Sequence, residues 1–297
     1  MESVLQTEMP DVKLFARGKV RDVYDLDDRL LIVATDRISA FDYVLPDAIP
    51  GKGKVLTRMS LFWFEYTKNV VPNHFLTANV DEYPEPVRKY RDQLEGRSML
   101  VRKAERIDIE CVVRGYISGS LWKDYQEKLK TGDTTVLGFH FAKDLKESQK
   151  FDEPIFTPAT KEESGHDINI AFEEMAGMVG IDLAAKLRQV SKQIYLQAAN
   201  YCESRGIILA DTKFEFGIHD GRLILIDEIL SPDSSRFWPK DKYQIGRGQE
   251  SFDKQYVRDY LLTCGWDRNS QPPHLPADII NGTRQRYEEI EKILLKQ

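Results

Sequence analysis

Short apolar runs alternate with turns through the first part of the chain. Residues 30–34 and 99–101 are uninterrupted apolar runs of strand length, so we predict two buried strands there. Apolar residues recur near helical spacing over 56–68, which predicts a helix between these strands. A further strand is predicted over 110–117, followed by a helix over 119–130.

The pattern changes in the second half. Residues 140–165 are polar and contain two prolines, so we expect a long loop of the kind that is often functional. Helices are predicted over 171–179, 183–204 and 279–295, and strands over 207–218 and 222–230. Antiparallel strands with helices grouped apart indicate an α+β fold. We place a lobe boundary within 105–112, which gives lobes of residues 1–108 and 109–297.

Composition restricts the class of protein. The chain has 297 residues, of which 41% are hydrophobic and 30% are charged, with a net charge of −6. This excludes a membrane-embedded or disordered protein and requires any phosphate-binding cations to be concentrated locally. The three cysteines are too scattered for a zinc or disulfide framework. No signal peptide and no apolar run of about 18 residues is present, which predicts a cytoplasmic location.

The densest group of candidate functional residues lies on the hairpin formed by the last two predicted strands. Side chains alternate along a strand, so Asp211, Lys213 and Glu215 share one face. The second strand reads Leu-Ile-Leu-Ile before Asp227, which is typical of a strand buried on both faces. Carboxylates in such surroundings need a cation, so the pattern favours a Mg²⁺ site over a solvated charged face.

The length of the turn decides whether Asp227 belongs to this face. A three-residue loop over 219–221, with its glycine left-handed, preserves the parity of the two strands. A two-residue loop, Asp220–Gly221, turns Asp227 to the other side. We predict the three-residue loop, and therefore Glu215 and Asp227 as ligands of one metal ion.

Basic residues are concentrated in two other stretches. Gly18 is flanked by cations, among them Lys19 and Arg21, and such a loop can present N–H groups and positive charge to a triphosphate. It lacks the spacing of a Walker loop, so a basic surface turn is an alternative. Arg114 and Ser120 flank a predicted strand-to-helix junction, where they can hold a phosphate. An exposed arginine and a helix-capping serine explain this pair equally well.

Three further polar stretches carry candidate residues. They contain Asp36 and Ser39, then Lys161, His166 and Asp167, and last Arg236, which follows the hairpin directly. No GxSxG motif and no Ser-His-Asp order accompanies them, which argues against a hydrolase.

Six stretches are each moderately specific, and jointly very specific, for one protein family: GKVRDVYD, TDRISAFD, ECVVRGYISGS, TKEESGHD, DTKFEFG and DEILSPDSSRFW. In this order, over nearly the whole chain, they resemble the SAICAR synthetase family in its longer single-chain form. The resemblance implies an N-terminal antiparallel β lobe similar to the nucleotide lobes of protein kinases and ATP-grasp enzymes, a larger α+β lobe, and ATP in the cleft. It also implies an ATP-dependent ligase of purine biosynthesis that joins carboxyaminoimidazole ribotide (CAIR) to L-aspartate, giving SAICAR, ADP and phosphate.

The resemblance implies roles for individual residues as well. Nucleotide binding corresponds to Lys19, Arg21, Glu110 and Lys161. Binding of the ribotide phosphate corresponds to Arg114, Ser120 and Arg236, and further substrate contacts to Ser39, His166 and Asp167. The Mg²⁺ ligands correspond to Glu215 and Asp227, and the catalytic residues to Lys213, Asp211 and Asp36.

The chemistry of the reaction agrees with these residue types. A carboxylate is a poor electrophile, so we expect ATP to phosphorylate the CAIR carboxylate before the aspartate amine attacks. The amine must be unprotonated, and Asp211 and Asp36 are candidate bases. A small-molecule kinase on the same scaffold is the alternative enzyme, and a nucleotide- or RNA-binding module is the non-enzymatic alternative. We expect small-molecule partners, no nucleic acid or membrane partner, and a monomer or small homo-oligomer.

Overall fold

The computed structural model describes residues 3–161 and 168–296. The chain forms two compact units, the first comprising Met1–Glu105, Gly217–Asp233 and Phe252–Gln297, and the second Arg106–Phe216 and Ser234–Ser251. Helices and antiparallel sheets occur in the same chain, which confirms the predicted α+β class. No helix in the described ranges is both long enough and apolar enough to cross a bilayer.

The secondary structure elements within the described residues follow in chain order. The strands are β1 (Leu14–Arg17), β2 (Arg21–Leu26), β3 (Arg29–Ala34), β4 (Arg37–Ala40), β5 (Tyr43–Ala48), β6 (Phe75–Thr77), β7 (Ser98–Arg102), β8 (Glu105–Arg106), β9 (Ile109–Tyr116), β10 (Thr135–Val136), β11 (Phe139–His140), β12 (Lys150–Phe156), β13 (Ala159–Thr160), β14 (Ile207–His219), β15 (Arg222–Ile226) and β16 (Ser235–Pro239). The helices are α1 (Lys52–Thr67), α2 (Glu85–Arg88), α3 (Arg91–Leu94), α4 (Gly119–Lys130), α5 (Phe172–Val179), α6 (Ile181–Ser204), α7 (Gln255–Thr263) and α8 (Ala277–Leu295).

The first unit is built on a five-stranded antiparallel sheet in the order β1-β2-β3-β7-β6. The central strand β3 buries Leu31 and Val33 in an apolar cluster with Tyr24 and Leu100. Helix α1 packs against β3 and α8, and it buries Trp63 completely. The sheet thereby holds the β1–β2 turn, where the predicted phosphate loop lies.

The second unit is organised around β9, which lies between β12 and β14. Strand β16 pairs with β14 on the side away from β9. Helix α6 packs on β9 and β12, and Tyr195 of this helix donates a hydrogen bond to the Leu209 carbonyl oxygen at 2.7 Å. A Cβ at Gly115 would lie 2.1 Å from the Tyr195 hydroxyl oxygen, so the absence of a side chain at Gly115 permits this close approach.

Most of the predicted elements are confirmed. They are the strands β3, β7, β9 and β14 and the helices α1, α4, α5, α6 and α8. The prediction of one long loop over 140–165 is wrong, because β12 and β13 form there by pairing with β9. These pairings join residues far apart in the chain, so the local polar pattern gave no sign of them.

The turn between β14 and β15 also differs from the prediction. Strand β14 ends at His219 and β15 begins at Arg222, so the connection is the two-residue Asp220–Gly221. Both residues have positive φ, 49° and 72°, as a type I′ turn requires. The parity argument that put Asp227 on the face of Glu215 is therefore wrong. Strand β15 also ends at Ile226, and Asp227 has φ of 65°, so strand alternation does not extend to Asp227.

The two compact units do not coincide with the two contiguous lobes that were predicted. The first segment of the first unit ends at Glu105, next to the predicted boundary, but two later segments of the chain also belong to this unit. The reason is an apolar cluster that joins β4 and β5 to α7 and α8 through Ile38, Leu45, Val257 and Ile279. The assignment of nucleotide binding to residues 1–108 and of substrate and metal binding to residues 109–297 stays a prediction.

Candidate active site

An Asp carboxylate held by two arginines dominates the second unit. The strand register places Asp211 of β14 opposite Arg114 of β9 and opposite Arg236 of β16. Arg114 Nη1 donates to Asp211 Oδ2 at 3.0 Å, and Arg236 Nη1 donates to the same oxygen. Opposed positions on neighbouring strands share a face of the sheet, which is why residues far apart in sequence meet here.

The Arg114 guanidinium makes two further contacts. Its Nε donates to Thr157 Oγ1 at 2.9 Å, and its Nη2 donates to Ser120 Oγ at 3.2 Å. Burial lowers the pKa of Arg114, and the charge of Asp211 opposes this shift. A guanidinium nevertheless stays protonated, so the group remains a cation in a mostly buried position.

Ser120 lies in the first turn of α4, directly after Gly119. Gly119 has φ of 59°, and a Cβ on it would lie 2.4 Å from Arg236 Nη2. The backbone at the start of α4 therefore contacts the Arg236 guanidinium directly. Two guanidiniums, a hydroxyl and a helix N-terminus form a typical arrangement for binding a phosphate.

Further along β14, Lys213 and Glu215 each form an ion pair with a residue of another segment. Lys213 Nζ lies 2.5 Å from Glu110 Oε1, and Lys161 Nζ pairs with Glu215 Oε1. Two fully buried phenylalanines alternate with these charged residues: Phe214 lies between Lys213 and Glu215, and Phe216 follows Glu215. This agrees with the predicted alternation of the strand. The structure thus brings together seven predicted residues in this unit in direct ion pairs: Glu110, Arg114, Lys161, Asp211, Lys213, Glu215 and Arg236. Two other predicted residues, His166 and Asp167, lie outside the described residues.

In the first unit, the predicted phosphate loop connects β1 to β2. The Gly18 N–H donates to the Arg21 carbonyl oxygen at 2.8 Å and closes the turn. Lys19 is half-exposed and pairs with Asp42. Arg21 pairs with both Asp227, at 2.7 Å, and Glu228, at 3.2 Å.

Asp36 has a different environment from that expected of a base. It is fully buried, and its carboxylate accepts hydrogen bonds from the Val4 N–H at 2.9 Å, the Gly53 N–H at 2.9 Å and Arg97 Nη1 at 3.0 Å. These bonds anchor the start of α1 and account for the burial of Asp36 without a proton-transfer role. Ser39, also predicted to contact substrate, is buried in β4.

A sequence model of the SAICAR synthetase family matches residues 14–273. The chain belongs to this family. A relative from Thermodesulfovibrio yellowstonii is 57% identical and one from Desulfosudis oleivorans is 55% identical, and each alignment covers 98% of both chains. Both are phosphoribosylaminoimidazole-succinocarboxamide synthases. The solved SAICAR synthase from Saccharomyces cerevisiae, complexed with SAICAR, is 44% identical with a TM-score of 0.88 and 98% coverage of both chains.

Membership in the SAICAR synthetase family establishes the reaction. The chain is a ligase that uses ATP to condense CAIR with L-aspartate in purine biosynthesis, as the motifs predicted. The kinase and binding-module alternatives are not supported, because the relatives that match over the full length are ligases.

Each predicted metal ligand is paired with a basic side chain of its own unit. Among the described residues, no cluster of three or more His, Cys, Asp or Glu side chains could hold a metal ion by itself. Asp227 and Glu228 instead flank Arg21 in the first unit, and Glu215 lies against Lys161 in the second. Mg²⁺ commonly takes one or two carboxylates and completes its shell with phosphate oxygens and water.

Sequence reasoning missed a buried charge cluster in the first unit. The Asp233 carboxylate accepts hydrogen bonds from Lys52 Nζ at 2.7 Å and from the Tyr287 hydroxyl at 2.6 Å, and it lies 3.3 Å from Lys254 Nζ. Only the tertiary structure brings the lysines to it, from helix α1 and from the residue that precedes α7.

Proposed function

We propose that this ligase holds the CAIR phosphate with Arg114, Ser120 and Arg236. The supporting observation is the arrangement around Asp211, whose single carboxylate fixes two guanidiniums side by side at the start of α4. Planar guanidiniums bind phosphate oxygens in pairs, and their orientation is set before the substrate arrives. In this proposal Asp211 orients the arginines and does not act as a base, because its Oδ2 already accepts hydrogen bonds from both guanidiniums.

The reaction is proposed to pass through an acyl phosphate. An oxygen of the CAIR carboxylate attacks the γ-phosphorus of ATP, and ADP leaves. The unprotonated aspartate amine then attacks the acyl carbon, the C–O bond to the phosphate breaks, and the amine proton is lost as the amide forms. Such phosphoryl transfer depends on alignment and on neutralising charge, which lysine and arginine side chains supply.

The remaining assignments follow the chemistry of each side chain. Lys19 and Arg21 are proposed to bind the triphosphate, and Lys213 to stabilise negative charge on the reacting carboxylate. The assignment of Glu215 and Asp227 as Mg²⁺ ligands stays a prediction, and a bound Mg²⁺ would neutralise phosphate charge. The nucleotide roles of Glu110 and Lys161, the substrate role of Ser39, the cytoplasmic location and the monomeric or small oligomeric state stay predictions.

Isotope transfer tests the acyl phosphate directly. CAIR labelled with ¹⁸O in its carboxylate should give inorganic phosphate that contains one ¹⁸O atom per turnover, because the carboxylate oxygen leaves with the phosphate. Omission of each substrate in turn is the control, and ADP should form at the full rate only with CAIR and L-aspartate together. Release of unlabelled phosphate would refute the intermediate.

A matched pair of variants tests the CAIR phosphate site. Arg236→Lys should raise KM for CAIR more than KM for ATP, because a lysine cannot reproduce the planar donor pair. Arg205→Lys is the control, since Arg205 is an arginine of the same unit that stacks on Tyr201. Equal effects of the two substitutions on KM for CAIR would remove Arg236 from the phosphate site.

A further inference from the structure

The turn between β1 and β2 is held from one side by an arginine that has no assigned role. The Arg37 guanidinium donates to the Gly18 carbonyl oxygen at 3.0 Å and to the Lys19 carbonyl oxygen at 3.2 Å. It also donates to the Leu5 carbonyl oxygen and, at 2.8 Å, to Asp22 Oδ1. Arg37 is buried at the start of β4, so these bonds form away from bulk water.

Thr35 extends the same set of contacts. Its N–H and its hydroxyl donate to the Val20 carbonyl oxygen at 3.0 Å and 2.8 Å. Three consecutive carbonyl oxygens, those of residues 18–20, thus accept hydrogen bonds from a segment of only three residues, 35–37. One short segment therefore determines the backbone orientation of the whole turn.

The consequence for the turn follows from peptide geometry. In a trans peptide the N–H of one residue points opposite to the carbonyl of the residue before it. Because the Gly18 and Lys19 carbonyls point toward Arg37, the N–H groups of Lys19 and Val20 point away from it. Adjacent N–H groups on one side of a turn form a concave site that attracts anions.

We propose that Arg37 is a positioning residue for the nucleotide triphosphate, which it serves by orienting the Gly18–Val20 backbone without touching the ligand. This inference rests on the proposed function, in which the same turn binds the triphosphate. The five N–H donors of a guanidinium form a rigid fork, so one side chain can satisfy all four acceptors. A lysine has a single nitrogen and cannot.

The positive charge of Arg37 is balanced by the carboxylate of Asp22. Asp22 is fully buried and also accepts hydrogen bonds from the Thr7 N–H and hydroxyl, both at 2.8 Å. Burial raises the pKa of Asp22, but the hydrogen bonds from Arg37 and Thr7 outweigh burial and keep this pKa below its ordinary value. The ion pair therefore holds the guanidinium in place behind the turn.

The test compares two nucleotides that differ in their phosphates. Arg37→Met should weaken binding of a non-hydrolysable ATP analogue about tenfold or more, the factor that corresponds to one lost charge-assisted hydrogen bond. Binding of AMP and the KM for L-aspartate should change less than about twofold, since neither ligand requires the outer phosphates. Isothermal titration calorimetry gives the two dissociation constants, and circular dichroism checks that the variant is folded.

Thr7→Val is the matched control, because Thr7 contacts the shared Asp22 but no carbonyl of residues 18–20. This variant should lose stability and keep its preference for the ATP analogue over AMP. If Arg37→Met fails to fold, Arg37→Lys replaces it, since a lysine keeps the charge beside Asp22 and loses the carbonyl contacts. Unchanged affinity for the analogue, or an equal loss in the Thr7→Val control, would overturn the inference.

Lys19→Met separates this inference from the proposed function. A loss of analogue affinity in Lys19→Met but not in the Arg37 variants would retain the phosphate site and overturn only the positioning role. No loss in either variant would overturn both.

Discussion

Substitution of Gly119 by alanine should weaken CAIR binding through a single added methyl group. The new Cβ would lie 2.4 Å from Arg236 Nη2 and 2.8 Å from Arg236 Cζ. Since unstrained carbon contacts lie near 3.5 Å, the guanidinium must move by about 1 Å. The displaced group would lose one charge-assisted bond to the phosphate, worth about 1.5–3 kcal/mol, which raises KM for CAIR roughly 10- to 100-fold.

The same substitution also strains the backbone, and this loss of stability must be separated from the change in CAIR binding. Gly119 has φ of 59°, and a side chain in this conformation costs about 1 kcal/mol of stability whatever it contacts. Gly132 supplies the control at the other end of α4, because it has φ of 77° and a Cβ there meets no described atom within 4 Å. Gly132→Ala should therefore show the loss of stability without the change in KM.

The assay measures urea unfolding and steady-state kinetics for both alanine variants, with ATP and L-aspartate saturating. We expect similar losses in the free energy of unfolding and a rise in KM for CAIR in Gly119→Ala alone. Equal KM values for the two variants would refute the reasoning, because Arg236 would then tolerate displacement without consequence for the ribotide.

Other predictions address the metal, the second arginine and the buried carboxylates. Glu215→Gln or Asp227→Asn should leave the fold intact and lower kcat at least about 100-fold at ordinary Mg²⁺, and near-normal turnover in both would remove them from the metal site. Arg114→Lys should raise KM for CAIR more than KM for ATP in steady-state kinetics, and the reverse order would place Arg114 in the nucleotide site. Asp233→Asn should reduce the free energy of unfolding by about 3–5 kcal/mol in urea titrations, because two buried lysines lose their counter-charge, and a loss below 1 kcal/mol would contradict this. Nearby lysines outweigh burial and lower the pKa of Asp233, so its contribution to stability is present above the unfolded pKa, about 3.9, and is lost as the pH falls toward the folded value. Urea midpoints should therefore fall below about pH 4 in the parent protein and less steeply in Asp233→Asn.

The sequence by itself determined the features that depend on local pattern. The apolar run of β3 and the helical spacing of α6 predicted both elements, because burial of a face imposes a period that is visible in one segment. The alternation of β14 likewise predicted that Asp211, Lys213 and Glu215 share a face. The motifs identified the family, because the six stretches occur together and in order over nearly the whole chain.

Turn geometry required the structure. Asp220–Gly221 is compatible with a two-residue turn and with the end of a three-residue loop, and only the pairing of β14 with β15 decides between them. That choice also decided the parity of the strands, so the argument that placed Asp227 on the face of Glu215 failed.

Long-range contacts required the structure for a different reason. Arg37 and Asp36 are adjacent in one polar motif, but the first holds the backbone of residues 18–20 and the second is buried against the start of α1. Asp233 likewise gains its lysine partners from residues 52 and 254. Hydrogen bonds of this kind join positions 17 to 181 residues apart in the chain. Local sequence shows which groups are polar, but which partner satisfies each group is settled only when the packed elements bring them together.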